Sequence, residues 1–232
     1  LHYLRLFTDL ISEWDTEKGS VTDFRNRTKT HLGAFYLTPH TTQYENKSKL
    51  YLLLHASCLE NEKENALEII KEQLYSTLFN NSEILKKSIK QHYTYSIENI
   101  VSRGDIYANM RDSAKTSGYN AMVEHLFGYE YHLFVKNLAK TIDDNADSVL
   151  ARFENIRNKY FCKERLTLGL TEPDGYEYAE KLIGIVREGG IQSEDSPIFP
   201  LEKLNEGIAI PSGLVVLTAG IHFAEHQFPV IA

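Results

Sequence analysis

The hydrophobic period of this 232-residue chain changes several times along its length, and the order of the changes restricts the folds open to it. Near the start, apolar residues recur at helical spacing, as at Leu4, Phe7 and Ile11. Two runs rich in aromatic and branched residues follow at 34–44 and 49–59, with polar residues between them, and this pattern predicts a hairpin. The second run is apolar on both faces, which predicts a central strand.

Helical spacing returns after the hairpin and continues for about a hundred residues. It predicts helices at 62–78, 82–103, 105–115, 119–127, 129–142 and 146–161. An alternating segment at 166–171 and two short apolar segments at 207–210 and 213–219 predict three more strands. Strands that are grouped in hairpins favour an α+β fold over a doubly wound parallel sheet. We expect one domain over residues 1–232, with an antiparallel sheet of about four to six strands and helices packed on one face.

The composition argues against several classes of protein. With 32 acidic and 25 basic residues, the net charge is −7, which disfavours a nucleic-acid-binding surface. Apolar runs stay far below the roughly 20 residues of a membrane span, so no membrane partner is expected. Cys58 and Cys162 are too few for a disulfide framework and are expected to be core or surface thiols rather than nucleophiles. Because no signal peptide is visible, a cytoplasmic location is expected.

The motif with the clearest chemistry is His-Phe-Ala-Glu-His at 222–226. On a helix, two histidines at this spacing bind zinc and the glutamate activates a water, as in inverted zinc proteases. A catalytic zinc needs a third protein ligand, however, and Pro229 prevents a long helix after the motif. We therefore interpret His222, Glu225 and His226 as coincidental. A small metalloprotease that uses them is kept as an alternative.

A second group of possible ligands is His125 and His132, with Glu124 and Glu130 beside them. On one continuous helix the two histidines would lie about 10 Å apart along the axis, too far to share an ion. The sequence also lacks a GxSxG elbow, a Walker loop and a GxGxxG turn. The residues alone therefore predict a soluble α+β domain with no catalytic residue and no cofactor of its own.

Several stretches match known patterns when they are taken in order. The segment SRGDIYANMR is similar to GHxxAxxR, with Asp105 at the position of the usual histidine. The segment from 117 to 138 is similar to a pattern that begins ExxxG, and NEGIAIPSGLVVLTAG matches a pattern with NEG, proline, valines and glycine. The matched positions are Gly104, Ala108, Arg111, Glu124, Gly128 and Phe134. Together these stretches resemble the presequence-protease branch of the pitrilysin–insulinase zinc metallopeptidases.

This resemblance implies a piece of a longer polypeptide, namely the first domain of the C-terminal, non-catalytic half of a large zinc peptidase that degrades unstructured peptides. The zinc, a cofactor of the parent, would lie in the N-terminal half, and this domain would form the opposite wall of a peptide chamber. Implied partners are the other domains of the polypeptide and its peptide substrates. Residues 220–232 would begin the connection to the next domain, and the isolated chain would be inactive. The alternative is a stand-alone scaffold or interaction module.

Overall fold

A computed structural model describes residues 1–44, 47–169 and 175–189. Within these ranges the chain forms eight α-helices and two β-strands. The helices are α1 (His2–Leu10), α2 (Val21–His31), α3 (Lys63–Tyr75), α4 (Ser82–Ser102), α5 (Gly104–Ser113), α6 (Gly118–Phe127), α7 (Tyr129–Tyr160) and α8 (Tyr176–Ile185). The strands are β1 (Ala34–Tyr44) and β2 (Lys47–Ser57). In this part of the chain no helix is both long and apolar enough to cross a membrane.

Side-chain caps fix the starts of several helices. Ser20 and Asp23 form a capping box at α2, in which each side chain accepts a hydrogen bond from the backbone N–H of the other residue. At α4 the cap is Asn81, one residue before the start, and its side chain accepts from the N–H groups of Glu83 and Ile84. These bonds satisfy donors that have no partner inside the helix.

The longest helix, α7, runs without interruption from Tyr129 to Tyr160, so the break expected between 142 and 146 is wrong. Polar residues at 143–145 lie on its solvent side, while Ile142, Ala146 and Val149 continue the buried stripe. Packing of that stripe outweighs the lower helix propensity of Asp and Asn.

The main hydrophobic core lies where α1 packs against α4 and α7. Its fully buried side chains include Phe7 and Phe153, whose rings meet edge to face at a centroid distance of 5.5 Å. Trp14, four residues after the end of α1, is buried in the same core. Two smaller cores join α2 to α3 and α3 to α8.

A buried ion pair ties α2 to α3 beside the smaller cores. The Glu72 side chain is fully buried, and both of its oxygens accept hydrogen bonds from Arg27, at 2.8 and 2.6 Å. Thr16 also donates to Glu72, at 2.6 Å. Burial alone would raise the pKa of this carboxyl, but the hydrogen bonds from Arg27 and Thr16 and the charge of Arg27 lower it overall. Glu72 is therefore held as an ion.

The two strands form one antiparallel hairpin, with Tyr36 opposite His55 and Leu37 opposite Leu54. The inner face is half-buried against the helices, and α1, α3 and α6 contact it. The second strand does carry apolar side chains on both faces, but its outer face is exposed and β1 is its only strand neighbour among the described residues, so the prediction of a central strand is wrong there.

The predicted sheet of four to six strands is also wrong, since the described part of the chain contains a sheet of two. Residues 166–169, which belong to the third predicted strand, are not in a strand. The predicted strands at 207–210 and 213–219 lie outside the described residues. The physical reason is that helices cover the inner face of the hairpin and build the main core themselves, so burial of apolar surface there requires no further strand.

Candidate functional site

Three of the six pattern residues meet at one junction. Arg111 near the end of α5, Glu124 in α6 and Gly128 between α6 and α7 come together, and Glu130 in the first turn of α7 joins them. We call these four residues the acidic junction. The sequence placed Glu124 and Glu130 beside two histidines, but their partner in the structure is Arg111.

Glu124 caps the longest helix from outside it. Gly128 is the N-cap of α7 and has no side chain, so the first N–H groups of the helix need another acceptor. The Oε1 atom of Glu124 accepts a hydrogen bond from the N–H of Glu130 at 3.2 Å. A carboxylate at this position also interacts favourably with the positive end of the helix dipole.

The close approach of this carboxylate explains why residue 128 is glycine. A Cβ atom at Gly128 would lie 1.7 Å from Oε2 of Glu124 and 2.8 Å from its carbonyl oxygen. The dihedral angles of Gly128 are φ −97° and ψ −157°, which is extended backbone, so the reason is space and not a left-handed conformation. The two pattern positions therefore depend on each other.

Burial dominates the electrostatics of this junction. The Glu124 side chain is only 1% exposed, and its Oε2 atom has no hydrogen-bond partner. Burial raises the pKa of this carboxyl, with Glu130 adding to the effect, while backbone N–H groups and Arg111 oppose it. Arg111 contacts Glu130 at 2.6 Å and lies 3.8 Å from Glu124, so one guanidinium forms ion pairs with two carboxylates.

The other pattern residues lie outside this junction. Gly104 is buried at the start of α5, and Ala108 is half-buried on the same helix. Phe134 of α7 packs against the main core, with its ring edge to face with Tyr3 at 4.9 Å. Arg111, Glu124, Gly128 and Phe134 thus lie at contacts between helices, and the acidic junction contains no nucleophile.

The residues considered as metal ligands or nucleophiles do not assemble in the described part of the chain. His125 and His132 lie on different helices, since Gly128 separates α6 from α7. Cys58 is half-buried and Cys162 buried, both as free thiols. Within the described ranges no three His, Cys, Asp or Glu side chains are placed to hold a metal ion. His222, Glu225 and His226 lie outside those ranges, so their coincidental character stays a prediction.

The surface best suited to contact another molecule is the outer face of the hairpin. The two residues of a register pair share a face and successive pairs alternate between faces, so every second pair lines the outer face. Three of these pairs are Tyr36 with His55, Thr38 with Leu53, and His40 with Tyr51. Tyr36, Leu53 and Tyr51 are 48%, 42% and 39% exposed, and the Tyr36 and His55 rings stack at 4.8 Å.

This outer face is unusual in charge as well as in exposure. Its next pair is Thr42 with Lys49, so the four pairs together carry no acidic side chain although the whole chain has a net charge of −7. Sequence reasoning missed this surface. The signal was the alternation of Lys49, Tyr51 and His55, which places polar and aromatic side chains on one face.

Comparison with known proteins gives two matches. The profile of the family described as peptidase M-16C associated matches residues 1–138. The mitochondrial presequence protease of Drosophila melanogaster is 22% identical over 178 residues. That alignment covers 74% of this chain and 17% of the fly protein, so the chain spans only a small part of the length of this relative.

Proposed function

This chain belongs to the peptidase M-16C associated family, and on that premise we propose that it is a non-catalytic domain of a zinc-dependent peptidase similar to presequence protease. In this role it forms part of the wall that encloses peptide substrates, and the zinc ligands lie elsewhere in the same polypeptide. The described residues do not fit a zinc site, since they offer no group of three ligands. No step of peptide hydrolysis is therefore assigned to them.

The outer face of the hairpin is the observation that carries this proposal. Each strand has 11 residues, and among the described residues each pairs only with the other. An extended peptide can add to such an edge by backbone hydrogen bonds, which do not depend on the amino-acid sequence of the peptide. Its side chains then lie beside Tyr36, Tyr51 and Leu53, which supply aromatic and aliphatic contact area. Lys49 is the only Lys, Arg, Asp or Glu among the eight residues of this face, so most of its area imposes no charge preference, which suits a chamber that accepts many peptides.

A wall also has to keep its shape while peptides enter and leave. The inner face of the hairpin packs on α1, α3 and α6, so the exposed face rests on helices. The helix α6 is joined to α7 through the acidic junction, and α1 is anchored in the main core. Through these contacts, the helices α1 and α6 that support the hairpin are connected to the main core and to α7.

The test is peptide binding to the isolated chain. A fluorescein-labelled, unstructured peptide of about 20 residues, long enough to cover both edges of the hairpin, is titrated with protein and its anisotropy recorded. The face variant is Tyr51→Ser/Leu53→Ser. The matched control is Tyr176→Ser/Ile183→Ser on α8, where the same kinds of side chain are 72% and 41% exposed.

We expect the face variant to raise the dissociation constant at least about tenfold, which corresponds to about 1.4 kcal/mol, and the control to change it less than about twofold. Because all four side chains are exposed, both variants should fold like the wild type. Equal weakening in both variants, or binding that neither variant alters, contradicts the assignment of this face as the peptide-contacting surface.

A further inference from the structure

Four of the nine histidines lie at contacts between the helices α1, α4, α6 and α7. They are His2 on α1, His92 on α4, His125 on α6 and His132 on α7, and we call them the histidine junction. His132 is buried and the other three are half-buried. The proposed chamber wall makes no use of these four imidazoles.

His92 lies inside a hydrogen-bonded chain that crosses three helices. Its Nε2 atom is 3.0 Å from the hydroxyl of Tyr131, and that hydroxyl donates to Oδ2 of Asp9 at 2.9 Å. The same Asp9 oxygen lies 3.4 Å from His92 Nε2. The other oxygen of Asp9 contacts Arg5 at 2.8 Å. Because the Tyr131 hydroxyl donates its hydrogen bond to Asp9, its oxygen can accept one from a neutral His92 imidazole that carries its proton on Nε2.

A proton on His92 therefore adds a second cation beside Arg5, at a site where the nearest carboxylate, Asp9, is already paired. Burial is the main cause that lowers the pKa of His92, and Arg5 lowers it further. Asp9 and Glu13 act in the opposite direction, and Glu13 accepts a hydrogen bond from Ser88 of α4 at 2.7 Å. The net direction is down, so His92 is neutral at physiological pH.

His2 and His125 face each other across the contact between α1 and α6. Their Nε2 and Nδ1 atoms are 3.3 Å apart, and the His2 ring is also 5.0 Å from the Phe134 ring. Burial, then His125 and the amino group of Leu1, lower the pKa of His2 to about 4, whereas Glu130 opposes the shift.

His132 completes the junction on the side of α4. Its Nδ1 atom is 2.8 Å from the hydroxyl of Ser96, and its ring lies between Tyr129 at 5.6 Å and Tyr93 at 5.8 Å. Burial lowers the pKa of His132, and Lys136 one turn along α7 adds to the effect. The imidazoles of His2, His92 and His132 thus each contact a neighbouring helix, and burial lowers the pKa of all three.

We propose that the histidine junction is an acid-sensitive latch that holds α1 on the helical bundle at neutral pH and loosens it on acidification. At neutral pH, the uncharged imidazoles of His2, His92 and His132 take part in hydrogen bonds between the helices. On acidification the junction gains several cations but no anion, and the resulting repulsion acts between α1 and the helices that pack on it. α1 responds because it carries His2, Arg5 and Asp9 and has only nine residues.

The direction in which stability changes with pH follows from the linkage between proton binding and folding. A histidine whose pKa is lower in the folded state stabilises the fold above its unfolded value of about 6.5, and this contribution is lost as the pH falls toward the folded pKa. For His2 the window runs from about 6.5 down to about 4. Burial raises the pKa of Asp9, so Asp9 contributes in the opposite direction at the acid end. The contribution of the imidazoles is therefore obtained by comparing the pH dependence of the wild type with that of a variant that lacks them.

The test is amide hydrogen exchange of the whole chain, followed by mass spectrometry at pH 7.5 and pH 5.0 and corrected for intrinsic exchange rates. The variant is His2→Gln/His92→Gln, in which glutamine keeps a hydrogen-bond donor but does not titrate. The matched control is His40→Gln/His55→Gln on the exposed outer face of the hairpin. Peptides from α3, which lies away from the junction, provide the internal reference.

In the wild type and in the control, corrected exchange of α1 should rise at least about tenfold more than that of α3 between pH 7.5 and 5.0, since one pKa unit corresponds to a factor of ten. In the junction variant the extra rise should fall below about threefold. An equal rise in wild type and junction variant, or an equal rise in α1 and α3, overturns the proposal. If the junction variant does not fold, the imidazole titrations of the wild type decide: midpoints of His2 and His92 at or above about 6.5 also overturn it.

Discussion

Replacing Gly128 by alanine gives the sharpest test of the acidic junction. The new Cβ atom would lie 1.7 Å from Oε2 of Glu124, whereas non-bonded heavy atoms pack at about 3.5 Å. The carboxylate would have to move by nearly 2 Å, roughly the difference between these two distances. The carbonyl oxygen of Glu124, at 2.8 Å, leaves little room for the alternative of moving the backbone.

The size of the effect follows from what the displaced carboxylate loses. It gives up the hydrogen bond from the N–H of Glu130, a cap worth about 1 kcal/mol. Overpacking adds about 1–3 kcal/mol, and a buried carboxylate without good partners costs about 1–3 kcal/mol more. We therefore expect Gly128→Ala to lower the free energy of unfolding by about 4 kcal/mol.

The assay is urea unfolding followed by the fluorescence of Trp14, the one tryptophan of the chain, which is buried in the main core. The matched control is Gly184→Ala in α8, where a Cβ atom meets nothing within 4 Å. Because alanine is the better helix former, the control should be more stable than wild type by about 0.5–1 kcal/mol.

A double variant shows whether the carboxylate is the cause. In a Glu124→Ala background the Gly128→Ala change should cost at least about 2 kcal/mol less than in the wild type, because only the carbonyl contact remains. If Gly128→Ala lies within about 1 kcal/mol of wild type, or if the two changes are additive, the reasoning about this junction is wrong.

Three further predictions concern stability. Arg27→Ala should destabilise the fold by about 3 kcal/mol in urea unfolding, because it leaves the buried Glu72 carboxylate without its cation; Arg27→Ala/Glu72→Gln should recover part of this loss. Phe153→Ala should cost about 3–5 kcal/mol by the same assay, since its ring is fully buried in the main core; a cost below about 1 kcal/mol would contradict that packing. Because the pKa of Glu124 is raised, its contribution to stability decreases as the pH rises from about 4.5, so the change in unfolding free energy from pH 4 to pH 6 should be more positive in Glu124→Gln than in the wild type.

The helices were largely predictable because their periodic apolar stripes are what the core buries. At α7 the prediction failed, since the polar residues at 143–145 suggested a break while the stripe through Ile142 and Ala146 continued past them. Local propensity was outweighed by packing against α1 and α4. The strands of the hairpin were predictable for the same reason, but the number of strands in the sheet depends on which elements cover it, and no local pattern encodes that.

The pattern residues could be found in the sequence, but their purpose could not. Nothing in the spacing of Glu124 and Gly128 reveals that the carboxylate turns forward to cap α7. The partners of His125 and His132 were equally out of reach, because the axial-distance argument assumed one helix where Gly128 separates two. His2 and Ser96, their contacts, lie far away in sequence.

The central claim is that this chain forms part of the chamber wall and contributes no catalytic residue. Reconstitution with the N-terminal half tests this claim most directly. Hydrolysis of an unstructured peptide of about 20 residues, a length that an edge strand can hold, is measured in the presence of zinc with this chain, with the separately made N-terminal half of the same polypeptide, and with both together. The account predicts that this chain alone leaves the peptide intact and that adding it to the N-terminal half increases hydrolysis. Cleavage by this chain alone that Glu225→Gln abolishes, or an N-terminal half that is fully active and unaffected by this chain, would contradict the account.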